Sequence, residues 1–299
     1  MASGFLVSVN VRQHQRKRYC RLNESSDSQR VALTLQYDGT DFHGWERKPD
    51  VSTIQETVEN ALELVLNQQY SLRASSRTDA GTHAVGQVCH FDLPAGVNAD
   101  RNWMAILNNR LPNAVKVTNS ALVPSKFHAR HSAVSRKYRY SILTDPRPNA
   151  FLGRFAWHYY QSPLDVKLMN EAATLLINED INIGAFRKAG CTSDSHLVSV
   201  SQATALRRRD ELVEIEITAN RFVYGMMRLL VAALVDVGKG TMSVQRFGEI
   251  LTNNEREAIK TSAPARGLCL LHVEYPEKLT PYPQRKPKSI LLGLSDVVY

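Results

Sequence analysis

The sequence predicts an α+β protein made of two comparable halves, residues 30–133 and 134–276. Two observations lead there. Short runs with apolar residues at every second position, the strand signature, are interleaved with runs whose apolar residues recur at helical spacing. The two kinds of run follow one another in both halves, with strands separated by helices and by each other. The chain has 299 residues and 43% hydrophobic content, enough for one large or two medium domains.

The first strand covers residues 31–37, where Val31, Leu33, Leu35 and Tyr37 alternate with smaller or polar residues. A Gly/Asp-rich loop follows over 38–45. Ser52 and Gln55 offer an N-cap and a capping box. Behind them Ile54, Val58, Ala61, Leu62, Val65 and Leu66 form one helical stripe. Residues 70–76 and 85–93 read as strands. A helix over 101–110 ends before Pro112, and 114–123 is extended. In the second half, 137–144 alternates as a strand. Ser162-Pro163 starts a helix with proline at its first position, and Leu164, Leu168, Ala172 and Leu175 form its buried face. Strands follow over 197–206 and 211–219. In the latter, Val213, Ile215 and Ile217 share one face against Glu214 and Glu216. Residues 221–237 read as the most apolar helix, closed by Gly238. A short helix follows Ser243, and 267–275 is the final strand.

The formal charge of +8 favours an anionic partner, since each cation that meets a phosphate releases a condensed counterion. Many basic proteins bind nothing acidic, so charge alone does not choose nucleic acid. The most apolar stretch, 229–237, is far too short to span a membrane. Four cysteines, Cys20, Cys89, Cys191 and Cys269, lie far apart without a CxxC pair or zinc-finger spacing. That usage reads as reduced and intracellular. Residues 1–29 carry Arg12, Arg16, Lys17, Arg18 and Arg21 before the first acid, Glu24. An organellar transit peptide, a basic RNA-binding arm and an unstructured tail all fit this segment. Residues 277–299, with Pro281, Pro283 and Pro287, read as an irregular tail.

The densest polar cluster is Ser75-Ser76-Arg77-Thr78-Asp79-Ala80-Gly81-Thr82-His83-Ala84. It falls between two strands and is therefore a loop, where function concentrates. A plain β-turn explains the same residues, and Arg77 beside Asp79 can be a surface ion pair of little worth. For Asp79 to act as a nucleophile it needs a cation and an enclosing wall from elsewhere in the chain. Arg228 can supply the cation, because it lies in an otherwise apolar run and a buried charge must be paired. Alternatively its long side chain reaches solvent. Arg136-Lys137-Tyr138-Arg139-Tyr140 interleaves cations with tyrosines. Such a strand holds phosphates while a ring stacks on a base, or it is the guarded face of an edge strand. Arg207-Arg208-Arg209 marks a hairpin turn. Phe127-His128-Ala129-Arg130-His131 lacks a carboxylate at ligand spacing, which argues against a metal.

Taken together these segments resemble the bacterial-type tRNA pseudouridine synthase A family over about residues 30–276. The matching motifs are Tyr37-Asp38-Gly39-Thr40 through Gly44-Trp45, Arg77-Thr78-Asp79-Ala80-Gly81-Thr82-His83-Ala84, Phe127-His128-Ala129-Arg130, Arg136 to Tyr140, Asn220 to Arg228, and Gly267-Leu268-Cys269-Leu270. Trp157-His158-Tyr159-Tyr160 and the segment after Tyr224 look most like cyanobacterial or plastid members. Ser76 stands where the family usually has glycine, Thr82 where it has valine, and Glu46 and Lys48 where it has glutamines.

The resemblance implies two similar halves with mostly antiparallel sheets around a central RNA-binding cleft. It implies an isomerase that needs no cofactor and no metal. The implied substrate is tRNA, at positions 38, 39 and 40 of the anticodon stem-loop, and the implied assembly is a homodimer without membrane contact. It makes Asp79 the nucleophile, attacking C6 of the base or C1′ of the ribose, and Arg228 its paired cation. Tyr138 stacks on the uracil and helps remove its C5 proton, Arg77 holds open the space left by the flipped base, and Leu268 lines the uracil pocket. The expected location is the cytoplasm, or an organelle if residues 1–29 are a transit peptide.

Two other classes compete. A non-catalytic RNA-binding module would be marked by loss of Asp79, Tyr138 or Arg228, and all three are present. A glycosidase would need a second acid beside Asp79, and the next one along the chain is Asp92.

Overall fold

In the computed structural model, which describes residues 29–279 apart from 192, 194 and 210, the alternating runs become strands of one sheet. Residues 1–28 and 280–299 lie outside the described residues, so the readings of the basic extension and of most of the tail are not addressed by it. The first half contributes β1 (Arg30–Tyr37), α1 (Ile54–Leu66), β2 (Arg73–Ala74), β3 (His83–Asp92), α2 (Trp103–Asn108) and β4 (Val115–Val123). The second half contributes β5 (Ser135–Leu143), α3 (Leu152–Phe155), β6 (Trp157–His158), α4 (Val166–Thr174) and β7 (Asn178–Asn182). It continues with β8 (Leu197–Arg209), β9 (Leu212–Ala219), α5 (Met226–Gly238), α6 (Val244–Asn253) and β10 (Leu268–Glu274).

The strand order is β4-β1-β3-β10-β5-β9-β8-β7, with β2 on β3 and β6 on β5. Pairing is antiparallel except where β10 meets β3 and β6 meets β5. The last strand thus closes the sheet between the halves. Its register sets Cys269 opposite His83 on β3 and Leu270 opposite Tyr138 on β5. The loop before β3, the start of β10 and the middle of β5 are therefore brought to one place.

Several sequence expectations shift in register. The cap of α1 is Thr53, whose hydroxyl accepts the Glu56 N–H, rather than Ser52. Thr53 is fully buried, and the next two amides donate to Gly44 and Trp45 carbonyls. The docked loop fixes where the helix begins. Gln55 instead bonds Glu59. The helix expected at Ser162-Pro163 starts later, because the Asp165 carboxylate caps it by accepting from Lys167 and Leu168. Its buried face carries Met169, Ala172 and Ala173, while Leu168 and Leu175 are exposed. The apolar helix begins at Met226 rather than 221, after Gly225 turns the chain at φ 77°. The 70–76 strand shrinks to Arg73–Ala74, and β7, a polar strand without apolar alternation, was not anticipated.

β5 is a central strand, not a guarded edge, and this changes the fate of its charges. Tyr138 and Tyr140 face the apolar side with Ile215 and Ile217 opposite them on β9. Lys137 and Arg139 face the other side, against Glu214 and Glu216. Arg139 reaches both glutamates, Lys137 holds Glu216 at 2.6 Å, and Arg208 holds Glu214 at 3.0 Å. Burial alone would raise the Glu216 pKa, but Lys137 and Arg139 outweigh it and lower it. Two cations read as phosphate holders are thus spent on buried acids.

Among the described residues Cys89, Cys191 and Cys269 are free thiols. Among them too, no helix is long and apolar enough to cross a membrane.

Candidate active site

Asp79 sits in the loop between β2 and β3, and two neighbouring segments hold that loop. The opening motif comes first. Trp45 N–H donates to the Thr78 carbonyl at 3.0 Å, Gly81 N–H donates to Phe42 O at 3.2 Å, and Tyr37 and Thr78 share a buried hydroxyl contact of 2.8 Å. Gly44 makes this approach possible: at φ 94° a Cβ there would lie 2.7 Å from the Thr78 oxygen. That combination of positive φ and backbone proximity suits only glycine.

The second support is β3, buried on both faces. Gln87, fully buried, donates to the Ser76 carbonyl at 2.7 Å and accepts from the Ser75 hydroxyl at 2.7 Å. His83 Nδ1 accepts the Gly39 N–H, and its Nε2 lies 3.1 Å from the Arg266 carbonyl, so the ring is neutral with its proton on Nε2. Its pKa is lowered, chiefly by burial, which outweighs the nearby Asp38 carboxylate. Arg136, also buried, donates to the carbonyls of Ser75, Arg130, Ala133 and Asn220 and ties three loops together. Arg136, one of the cations read as phosphate holders, is thus spent on carbonyls, and Gln87 had no assigned role in the sequence. The only hint was a polar side chain inside an apolar strand.

The cation that Asp79 requires comes from α5. Arg228 Nη1 donates to Asp79 Oδ2 at 3.0 Å across 149 residues of chain, with both side chains mostly buried. Arg228 also donates to the Ala263 carbonyl at 2.7 Å and to the Ser262 hydroxyl at 3.3 Å. Its direction is thereby fixed. Arg77 points elsewhere: its guanidinium is exposed and pairs with Glu46 at 2.8 Å rather than with Asp79. Tyr138 lies close enough for the Asp79 charge to act on it, is hydrogen-bonded to Ser76, and meets Phe222 edge-on at 4.7 Å. Burial first, with Asp79 adding, pushes its pKa up to about 12, so it is a neutral phenol at physiological pH. Leu268, buried, starts β10 opposite Tyr140. A carboxylate, a fixed guanidinium and a phenol ring thus meet from three segments distant in sequence, with Leu268 two residues along β10 from Leu270, the cross-strand partner of Tyr138.

A family model described as tRNA pseudouridine synthase matches residues 34–132 and 181–276, which hold most of these groups. The chain belongs to that family. Proteins named tRNA pseudouridine synthase A are similar to this pseudouridine synthase chain over most of its length. The one from Rippkaea orientalis is 46% identical over 254 residues, 85% of this chain and 86% of the relative. That of Synechocystis is 47% identical over 251 residues, 84% and 90%. That of Thermosynechococcus vestitus is 46% identical over 259 residues, 87% and 89%. The α+β sheet described above is this family's pseudouridine synthase fold.

Asp92 cannot serve as a second acid for Asp79, because Arg30 holds it at 2.6 Å and it ends the strand that Asp79's loop begins. His128 Nδ1 accepts the amides of Arg130 and His131. Among the described residues no three His, Cys, Asp or Glu side chains are arranged to hold a metal ion.

The departure at position 82 has a visible cost. The Thr82 hydroxyl is buried and has no hydrogen-bond partner among the described residues. A buried orphan hydroxyl costs roughly 1–3 kcal/mol. Thr82→Val removes it at near-equal volume and is expected to raise the thermal midpoint by a few degrees. An unchanged or lower midpoint would mean that the hydroxyl is satisfied.

Proposed function

We propose that this protein isomerises uridine to pseudouridine in tRNA, at positions 38, 39 and 40 of the anticodon stem-loop, with Asp79 as nucleophile. The observation that carries the reading is the Asp79–Arg228 pair at 3.0 Å, set in a loop that the opening motif and β3 hold in place. As a member of the tRNA pseudouridine synthase family the protein is an isomerase. The target base leaves its stack and enters the space between Tyr138 and Leu268, at a cost of a few kcal/mol. Asp79 adds to C6 of the uracil or to C1′ of the ribose. The N1–C1′ bond breaks, the uracil turns and the C5–C1′ bond forms; the bond to Asp79 is then released to return the carboxylate, C5 loses its proton to solvent, and N1, freed from the ribose, takes one up. No cofactor takes part. Enclosure by Tyr138 and Leu268 keeps water from the separated fragments. The neutral Tyr138 ring suits stacking on the uracil, and because the phenol keeps its own proton it helps remove the C5 proton only by passing its own to solvent as it takes that one.

On this reading Arg77 holds the vacated position in the RNA, and it must first exchange Glu46 for a phosphate. An exposed ion pair is worth at most about 1 kcal/mol, so RNA displaces it readily. A homodimer working in the cytoplasm accompanies the reading. Cleavage of residues 1–29 as a transit peptide would place it in an organelle, and the mass of the mature N-terminus decides between them.

The test is tritium release from tRNA labelled at uridine C5, followed by mapping of the pseudouridine. Release with pseudouridine in the anticodon arm is expected. Tight tRNA binding without release would make the protein an RNA-binding module, and liberation of free uracil would make it a glycosidase.

A further inference from the structure

Lys188 has no place in the chemistry above, yet it stands beside it. The segment carrying it is well anchored. Phe186 is fully buried against Phe247, with ring centroids 5.6 Å apart, and Lys188 N–H donates to the Tyr224 carbonyl at 2.9 Å. The stem of Lys188 crosses directly over Gly225. A Cβ at that glycine, whose φ is 77°, would lie 2.5 Å from Lys188 Cγ. The stem therefore fills the space that the missing side chain leaves, three residues before Arg228. The ammonium lies 5.7 Å from the centroid of the Tyr224 ring, and about half of that tyrosine is exposed.

Among the described residues the ammonium has neither an acid partner nor a hydrogen bond. The charges of both Arg228 and Asp79 act on it, and its pKa is lowered, by partial burial first and by Arg228 second. Asp79 is already paired with Arg228. A lysine that is held in place, stripped of part of its water and left without a counter-ion has room for an anion from outside.

We propose that Lys188 and Tyr224 form a subsite for the nucleotide next to the target uridine, with the ammonium on the phosphodiester and the phenol ring against the neighbouring base or sugar. The inference rests on the RNA reading of the site. Bringing the phosphate to Lys188 fixes the strand on one side of the flipped nucleotide while Asp79 acts on the nucleotide itself. A lysine serves here as a point charge on one phosphate, and base–aromatic stacking is independent of sequence.

The experiment measures tritium release and tRNA binding for wild type, Lys188→Ala and Lys188→Arg over a range of salt. In Lys188→Ala, KM is expected to rise about ten-fold with kcat changed less than about two-fold, as befits one lost charge contact. The slope of log Kd against log salt should become shallower by about 0.7–0.9, the contribution of one phosphate. Lys188→Arg should recover most of both. An unchanged salt slope overturns the proposal. So does a loss confined to kcat, which would make Lys188 a partner of the Asp79–Arg228 pair instead. If wild type releases no tritium, the proposed reaction fails, but the salt slopes still decide whether Lys188 meets a phosphate.

Discussion

Asp79→Asn is expected to reduce tritium release from C5-labelled tRNA by at least roughly 10⁴-fold while the variant binds tRNA as wild type does. Amide for carboxylate keeps the shape and removes the nucleophilic oxygen's charge. Losing a covalent nucleophile costs this much or more wherever the remaining site offers only binding and electrostatics. The fold should survive. Asp79 contributes its side chain to one ion pair, while the loop is held by the Trp45, Gly81 and Gln87 hydrogen bonds, none of which uses the Asp79 carboxylate. Asparagine can still accept from Arg228 through its Oδ1. Activity in Asp79→Asn within ten-fold of wild type would remove Asp79 from the chemistry. Loss of both binding and the folding transition would leave the loop, rather than the nucleophile, as the explanation, and Asp79→Glu would then separate the two by restoring charge at a displaced position.

How far the site could be read from residues alone depended on what kind of constraint placed each one. Asp79 and Arg228 were legible because their types are costly where they stand, an acid in a tight polar loop and a cation in an apolar helix. The need of one for the other follows from electrostatics. The strands were legible where one face is apolar, as at β1 and β9. β7, whose residues are Asn-Glu-Asp-Ile-Asn, gave no periodic signal. Its place is set by pairing with β8 rather than by its own side chains.

Helix starts were misplaced wherever capping came from elsewhere in the fold, as when Gly44 and Trp45 carbonyls take the first α1 amides. The same limit hid the roles of Lys137 and Arg139. Sequence shows that cations alternate with tyrosines, but only the position of β5 between β10 and β9 shows that one face is buried. Buried cations there must meet Glu214 and Glu216. Gln87 acts through a backbone carbonyl and the Lys188 stem fills the space over Gly225, and neither leaves a mark in residue spacing.

Arg228→Leu separates the two tasks that the structure gives one side chain. The guanidinium balances the Asp79 charge, and it also donates to Ala263 O and the Ser262 hydroxyl, while Ala263 N–H returns a bond to the Arg228 carbonyl. Leucine keeps the apolar stem packed in α5 but leaves the Asp79 carboxylate without its cation and the Ala263 carbonyl without its donor. Loss of one preorganised charge partner at a reacting centre costs about 10²–10³ in turnover, and this is the expected fall in kcat. The unpaired carbonyl adds a stability loss of roughly 1–3 kcal/mol, read as a lower thermal midpoint with the transition still cooperative. Arg228→Lys is the deciding companion. It returns the positive charge but not the planar fork that serves Asp79, Ala263 and Ser262 together. If charge balance dominates, the lysine variant recovers much of the turnover while its midpoint stays low. If orientation dominates, it recovers neither. Near-normal turnover in Arg228→Leu would assign the balancing charge to Lys188 instead, since the charges of both Asp79 and Arg228 act on that ammonium. A double variant lacking both cations would then lose the activity that each single variant keeps.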